Sequence, residues 1–472
     1  MILIPICIRF LFTPSSKGQR MYNDAIYDFV AVGVGPFNLG LACLSSAVTD
    51  LRCVFLDREE EFNWHPGMLI EGVTLQSPFL ADLVSMADPT NPFSYLNYRK
   101  QQGSLFNFFV RENFYLERQE YNRYCRWAVS RLDNIRFNHQ IEQVVYDPDQ
   151  RVYRVTGTET KQNKSFSFLA KKLVVGVGMK PRVPDCFRPA SRGIELHSSR
   201  YLKNKPELQK QKKITVIGGG QSGAEIFYDL LKDSEKFGYQ LDWVTRAPRF
   251  FQMETAKLTL EILCGDYGTY FHGLDKPTKQ KIIEEQKSVY CGANQSLLDE
   301  IYDFLDASRH SNLPQVQLMP CMNLINVKQN NSDNKSADST NGYFLQFAHT
   351  QTGERYQTDT GGVVLSSGHL YEVPSFMEGV FDRIERDEQG KYLQKENWSV
   401  DIHGREIFIQ NAGFESHGLI NQDLGMSCYR NSRILREITG QDIYSIENRF
   451  AFQSFEPGKE SGWNPMGSGV PR

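Results

Sequence analysis

The chain has 472 residues, 40% of them hydrophobic and 23% charged, with a formal net charge of -3. That length suits two or three domains with a sizeable core, and the composition is that of a soluble protein. The near-neutral balance argues against nucleic acid or an anionic membrane as partner.

Ile2 to Phe12 is an apolar run broken by Pro5 and Arg9. It is too short to span a bilayer and lacks a preceding basic region, so a signal peptide is a poor reading. Residues 1–21 are expected to be a disordered leader or a mis-assigned start, and Met21 stands just before the first clear strand. Nine cysteines follow no Cys-x-x-Cys spacing (Cys7, Cys43, Cys53, Cys125, Cys186, Cys264, Cys291, Cys321, Cys428). That pattern offers no redox dithiol and no zinc clip, and it fits a reducing, cytoplasmic setting without a metal.

Tyr27–Val32 is a short apolar run ending in glycines, the pattern of a buried parallel strand. A helix over Leu39–Val48 and a strand over Arg52–Leu56, closed by Asp57, complete a β-α-β unit. Leu173–Val177 is a further strand, closed by Gly178, and a Pro-rich connector follows over Pro181–Pro189. The β-α-β pattern then returns. Lys213–Ile217 is a strand, Gly218–Gly223 a glycine turn, Ala224–Leu231 a helix and Leu241–Thr245 the next strand. Gln329–Asn341 is a polar run expected to loop, Gly362–Leu365 a strand and Asn421–Glu437 a helix. The tail from residue 456 to 472 is expected to be disordered.

Two such units imply two dinucleotides, or a duplication with one dead copy. The expected fold is α/β, with two Rossmann-like domains and a small helical region beside the substrate. Residues 22–206 and 366–455 would form the FAD-binding domain, the second stretch including the substrate-side helix. Residues 207–365 would form the NADPH-binding domain.

The first turn reads Gly33-Val34-Gly35-Pro36-Phe37-Asn38-Leu39-Gly40. Gly33 permits the tight turn, Gly35 lets a pyrophosphate approach, and the helix N-terminus faces the phosphates. Asn38 replaces the usual third glycine. Asp57 suits the hydroxyls of an adenosine ribose. The second turn, Gly218-Gly219-Gly220-Gln221-Ser222-Gly223, has the full G-x-G-x-x-G spacing. The following strand ends near Arg246 and Arg249 rather than at a carboxylate, which suits the 2′-phosphate of NADPH. An FAD site followed by an NADPH site without a cysteine pair points to a flavin monooxygenase, not a disulfide reductase.

Beyond these turns stand Phe62-Asn63-Trp64-His65-Pro66-Gly67-Met68-Leu69, Leu75-Gln76-x-x-Phe79-Leu80-x-Asp82-Leu83, Asp88-Pro89-Thr90-Asn91-Pro92 and His417-Gly418-Leu419. In this order they resemble the lysine/ornithine N-monooxygenase family of siderophore biosynthesis, from about Tyr27 to Tyr444. A weaker similarity, Gly193-x-x-x-His197-Ser198-x-x-Tyr201, is to the flavin-monooxygenase fingerprint, with Ser191 replacing its leading Phe. The resemblance implies FAD, NADPH, O2 and a small amine as reactants, and a C4a-hydroperoxyflavin whose distal oxygen is attacked by the amine. It places Gln76 beside the isoalloxazine, as the flavin-side positioning residue. It puts Phe62, Trp64, His65, Leu75, Ile141, Asp423 and Leu424 with the first turn around FAD. Gln221 and Ser222 would hold the NADP phosphates. A homo-oligomer, dimer or tetramer, is expected.

Two departures bear on the substrate. The family's amino-acid hydroxylases carry Phe-Leu-Lys-Asp-Leu, whose lysine grips the substrate carboxylate. This chain has Phe79-Leu80-Ala81-Asp82-Leu83. A substrate-contacting serine eight residues after the motif histidine is Gly425 here. Val289–Gly292 also matches the usual substrate stretch poorly. Loss of the carboxylate clamp points to the diamine branch, putrescine or cadaverine, with Asp423 a candidate for the distal ammonium. The competing readings are an L-lysine or L-ornithine hydroxylase with a rebuilt carboxylate site, and a non-catalytic FAD-binding relic. His369 stands where the family has Tyr, in Ser366-Ser367-Gly368-His369; a structural role is expected.

Overall fold

The computed structural model describes residues 25–190, 196–329, 342–457 and 462–463. The expected leader lies outside them, as do most of the tail, residues 330–341 of the polar run, and Ser191 and Gly193 of the weaker fingerprint.

The larger sheet runs Ile135–Arg136, Cys53–Leu56, Ile26–Val32, Lys164–Val175, Val152–Glu159, His139–Asp147, and Ile407–Ile409 joins it parallel to Lys164–Val175. Val30 lies opposite Val54 on one side and Leu173 on the other. These central strands are apolar on both faces because both faces are covered, as parallel sheets require. Phe29, Ala31 and Phe55 pack toward Leu41, Leu44 and Tyr124. Val30, Val54 and Leu56 pack toward Val144, Val155 and Val380. Late in the chain, Ile407–Ile409 returns to this sheet, so the unit carrying the first turn is discontinuous in sequence.

The smaller sheet is parallel, in the order Val316–Met319, Gln240–Val244, Lys213–Ile217, Gly362–Leu365. A three-stranded antiparallel sheet adjoins it, and helices fill Lys257–Ala307. The two units are joined by a short ribbon in which His369 pairs with Pro181.

Several elements differ in extent from the sequence expectation. The first helix is Pro36–Ser45, starting earlier because proline at its first position is preorganised for a helix. The second is Gln221–Phe237, ending at Gly238 in the left-handed conformation. The Leu173–Val177 strand is the end of a longer one, Lys164–Val175, whose first half pairs antiparallel with Val152–Glu159. The helix expected from Asn421 begins at Ser427, after a 3-10 turn over Gly418–Asn421. Asp423 is the physical reason: its Oδ1 accepts the Met426 N–H at 3.1 Å and holds a loop open ahead of the helix. No helix among the described residues is long and apolar enough to cross a membrane.

Candidate active site

Both glycine turns are built, and by related means. Gly33 and Gly218 have φ of +87° and +133°. A Cβ on Gly33 would stand 2.4 Å from the Gly176 carbonyl oxygen, and one on Gly218 2.2 Å from that of Ser366. These two are glycine for the chain's own sake. Gly35 and Gly220 are different. Each has extended backbone, φ -85° and -89°, and caps the helix that follows. A Cβ on Gly35 would meet nothing within 4 Å, and one on Gly220 only the Gly292 carbonyl oxygen at 3.8 Å. The fold itself does not demand glycine there. Open space before a helix N-terminus is what a pyrophosphate needs, so the residues fit the expected dinucleotides.

The third positions diverge. Gly223 packs under its turn, where a Cβ would come 2.1 Å from the Gly218 oxygen. Asn38 fits at the equivalent place because its amide is used. Its Nδ2 donates to Gly33 O at 2.7 Å and Val32 O at 3.2 Å, and its Oδ1 accepts from Gln410 Nε2 at 2.7 Å. Gln410 Oε1 in turn accepts from Nε of Arg430, which is fully buried. Pro36 and Leu39 are buried within the first helix.

The residues expected at the two ribose ends differ in setting. The Asp57 carboxylate ends its strand, accepting the N–H of Val34 at 2.5 Å and of Glu59 at 2.8 Å. Burial raises its pKa, against those two N–H groups. Arg246 and Arg249 are exposed just past Gln240–Val244, Arg249 lying over the Phe251 ring at 4.5 Å. Neither makes an ion pair among the described residues.

Phe62 is buried and Trp64 half-buried against His65 and Tyr121, with ring centroids at 4.6 and 5.3 Å. The Trp64 N–H donates to Asn122. His65 has φ +50° and is exposed as a residue. Surrounding protein, then Arg118 and His369, lower its pKa to about 4. His197 and His369 complete a row of neutral histidines, with centroids 4.9 Å apart. His197 Nε2 lies 2.9 Å from Gly368 O, beside the connecting ribbon. Leu75 is buried and Gln76 exposed on the strand Thr74–Pro78. Ile141 is buried under the larger sheet among Val54 and Leu56, and Leu424 is half-buried against the other face.

The three substrate candidates meet. A Cβ placed on Gly425 would lie 2.9 Å from Asp423 Oδ1 and 3.9 Å from the Cβ of Ala81. Ala81 is buried, and the loop beyond it is pinned by Asp82, which accepts N–H groups from Val84, Ser85 and Tyr95. Burial raises the Asp423 pKa; the Met426 and Gly425 N–H groups and the Arg430 charge oppose it.

Sequence reasoning missed one connection between the two units. Arg118 donates to both oxygens of Glu225 at 2.7 Å each, and Glu225 Oε1 also accepts Gln221 Nε2 at 2.8 Å. Gln221 Oε1 accepts the Asn294 N–H at 2.8 Å. Gln221, first residue of the second helix, is thus fixed from the other unit. Ser222 beside it is half-buried. A carboxylate facing inward at the fifth position of a nucleotide-binding helix was the available signal, but its arginine lies 107 residues away.

Comparison with known proteins places the chain among amine monooxygenases. The family model for L-lysine 6-monooxygenase/L-ornithine 5-monooxygenase matches residues 25–371. The alcaligin biosynthesis enzyme of Bordetella pertussis is 45% identical over 435 residues, spanning 92% of this chain and 93% of that protein. The putrescine N-hydroxylase of Shewanella oneidensis is 45% identical over 440 residues, spanning 93% and 86%. The crystal structure of DfoA bound to FAD, the cadaverine monooxygenase of desferrioxamine biosynthesis in Erwinia amylovora, superposes with a TM-score of 0.87. It is 44% identical and covers 93% of this chain and 100% of that one.

Proposed function

The chain belongs to the L-lysine 6-monooxygenase/L-ornithine 5-monooxygenase family, and from that premise we propose that it hydroxylates one primary amine of a small aliphatic diamine, putrescine or cadaverine, for hydroxamate siderophore biosynthesis. It is a flavin-dependent N-hydroxylating monooxygenase that uses FAD, NADPH and O2. The observation that carries the substrate reading is the corner of Ala81, Asp423 and Gly425. Ala81 stands where the family's amino-acid hydroxylases have a lysine, and the Asp423 carboxylate lies across Gly425 from it. A carboxylate raised in pKa by burial gains from an ammonium and loses against a second carboxylate.

We propose that residues 22–206 and 366–455 hold FAD and residues 207–365 hold NADPH. Gly33, Gly35 and the Pro36 helix end receive the FAD pyrophosphate, with Asn38 and Leu39 shaping that turn, and Asp57 receives the ribose. Phe62, Trp64, neutral His65, Leu75, Ile141 and Leu424 enclose the remainder, and Gln76 orients the ring. Gly218, Gly220, Gln221, Ser222 and Gly223 take the NADP phosphates, and Arg246 and Arg249 the 2′-phosphate. Reduced by NADPH, bound FAD supplies the oxygen-activating chemistry. The protein binds, orients and excludes water. The reacting nitrogen must be neutral, although a free alkylamine has a pKa of about 10.4, and a desolvated pocket favours the neutral form. Asp423 keeps the other end charged and anchored. We place the reaction in the cytoplasm and propose that the chain works as a homo-oligomer, as the family resemblance implies.

An L-lysine or L-ornithine hydroxylase with a rebuilt carboxylate site has one observation in its favour: Nη2 of buried Arg430 has no hydrogen-bond partner among the described residues. Hydroxylated product is the test of the proposed function, because NADPH loss alone also reports uncoupled oxidase activity. With FAD, NADPH and O2, putrescine or cadaverine yields a hydroxylamine. NADPH consumption without hydroxylamine from any amine would leave only the flavin-binding relic.

A further inference from the structure

The helices Tyr95–Gln101 and Leu105–Arg111 belong to the unit that carries the first glycine turn. Their inner faces are accounted for: Tyr95, Tyr98 and Phe108 are buried with Tyr124 and Trp127. Their outer face is apolar as well. Phe106, Phe109, Val110 and Phe114 are 74, 72, 59 and 64% exposed, with Leu96 at 42%. The rings of Phe106 and Phe109 stand 6.2 Å apart. They border a groove with a volume of about 560 Å³. A surface helix normally turns polar residues outward, so a short helix that is apolar on both sides has a second surface to bury.

We infer that this face is the contact between two copies of the chain, related by a two-fold axis. The inference locates the homo-oligomer proposed above and rests on it. The charges select this occupant. Lys100 and Glu112 are the charged residues lining the groove, and neither makes an ion pair among the described residues. A uniformly acidic or basic partner would satisfy one of them and oppose the other. A second copy satisfies both, Lys100 meeting Glu112 of the partner subunit, twice over. The area agrees. The exposed parts of five such side chains give roughly 500 Å² per copy, or about 1,000 Å² together, the lower bound for a specific interface. The contact also reaches the active site: Phe79 lines the groove two residues before Ala81, and its N–H donates to the Phe114 carbonyl at 2.8 Å.

The test is sedimentation equilibrium of the FAD-loaded full chain and its variants, with flavin occupancy as the folding control. The chain should sediment as a dimer or a larger even assembly. Phe106→Glu with Phe109→Glu should abolish the contact while occupancy is unchanged, since both side chains lie outside the core. Lys100→Glu and Glu112→Lys should each raise the dimer Kd by about tenfold or more, and the double exchange should restore it. An assembly indifferent to the phenylalanine pair overturns the surface but not the oligomer. A monomer at every concentration overturns both. A monomer that dimerises only when residues 1–24 are removed assigns the groove to the chain's own N-terminal segment, and also overturns the inference.

Discussion

The two glycine turns solve one problem with different side chains. Each bends on a left-handed glycine and leaves a carbonyl, Gly33 O or Gly218 O, that a side-chain N–H must satisfy. In the first turn the donor is Asn38 of the following helix, at 2.7 Å. In the second it is Trp243 Nε1 of the neighbouring strand, at 2.9 Å. An asparagine in place of the third glycine is therefore not a weakened motif. It moves the donor from strand to helix, and Gly176 leaves room for it: a Cβ there would come 2.7 Å from Asn38 Nδ2. The first turn is also tied inward, through Gln410, to Arg430, whose charge acts on Asp423. The second is tied across the molecule, through Gln221 and Glu225, to Arg118. One turn is anchored within its own unit, the other by its neighbour.

The largest effect should come from filling the first cradle. Gly35→Arg meets no protein atom near its Cβ, so the chain should fold while losing nearly all bound flavin. Full flavin occupancy, read from the absorption spectrum, would remove the turn's assignment. The ribose ends sharpen the contrast next. Arg246→Ala with Arg249→Ala should cut the NADPH-over-NADH preference in kcat/KM by roughly tenfold to a hundredfold, the loss of charge-assisted contacts to one phosphate. An unchanged ratio would show that neither arginine reads it.

The cross-unit anchor predicts a smaller effect. Glu225→Gln keeps the shape and removes the charge facing Arg118. The KM for NADPH should rise several-fold with kcat less affected, and FAD occupancy should not change. A fall in FAD occupancy would mean that Glu225 supports the fold generally. A separate effect appears only in acid. His197, fully buried, has a pKa lowered to about 4 by burial, then by His369, with the Gly368 carbonyl opposing. A histidine whose folded pKa lies below its unfolded value of about 6.5 contributes stability above pH 6.5 that is lost as pH falls toward 4, at most about 3 kcal/mol. In thermal melts from pH 7 to 4, His197→Asn should flatten that part of the decline. An unaltered pH slope would count against a neutral His197.

Much of this was legible because it is local. The strands Lys213–Ile217 and Gly362–Leu365 coincide with their apolar runs, and both turns sit where glycine spacing put them. What was not legible depends on distance in sequence. The Asn421 region reads as helix by propensity, but Asp423 takes the Met426 N–H and delays the helix. The Arg118–Glu225 pair and the return of Ile407–Ile409 to the first sheet leave no periodic trace. That Phe108 is buried while Phe106 and Phe109 stand outside is set by tertiary packing, not by residue type.

The central claim is that the corner of Ala81, Asp423 and Gly425 selects a diamine. Its most direct test is kcat/KM for hydroxylated product from putrescine, cadaverine, ornithine and lysine. A carboxylate entering without a partner costs about 3 kcal/mol or more, so either diamine should exceed both amino acids by roughly a hundredfold or more. Comparable or faster hydroxylation of ornithine or lysine would contradict the claim, and would identify the unpaired Nη2 of Arg430 as the place to look for the carboxylate.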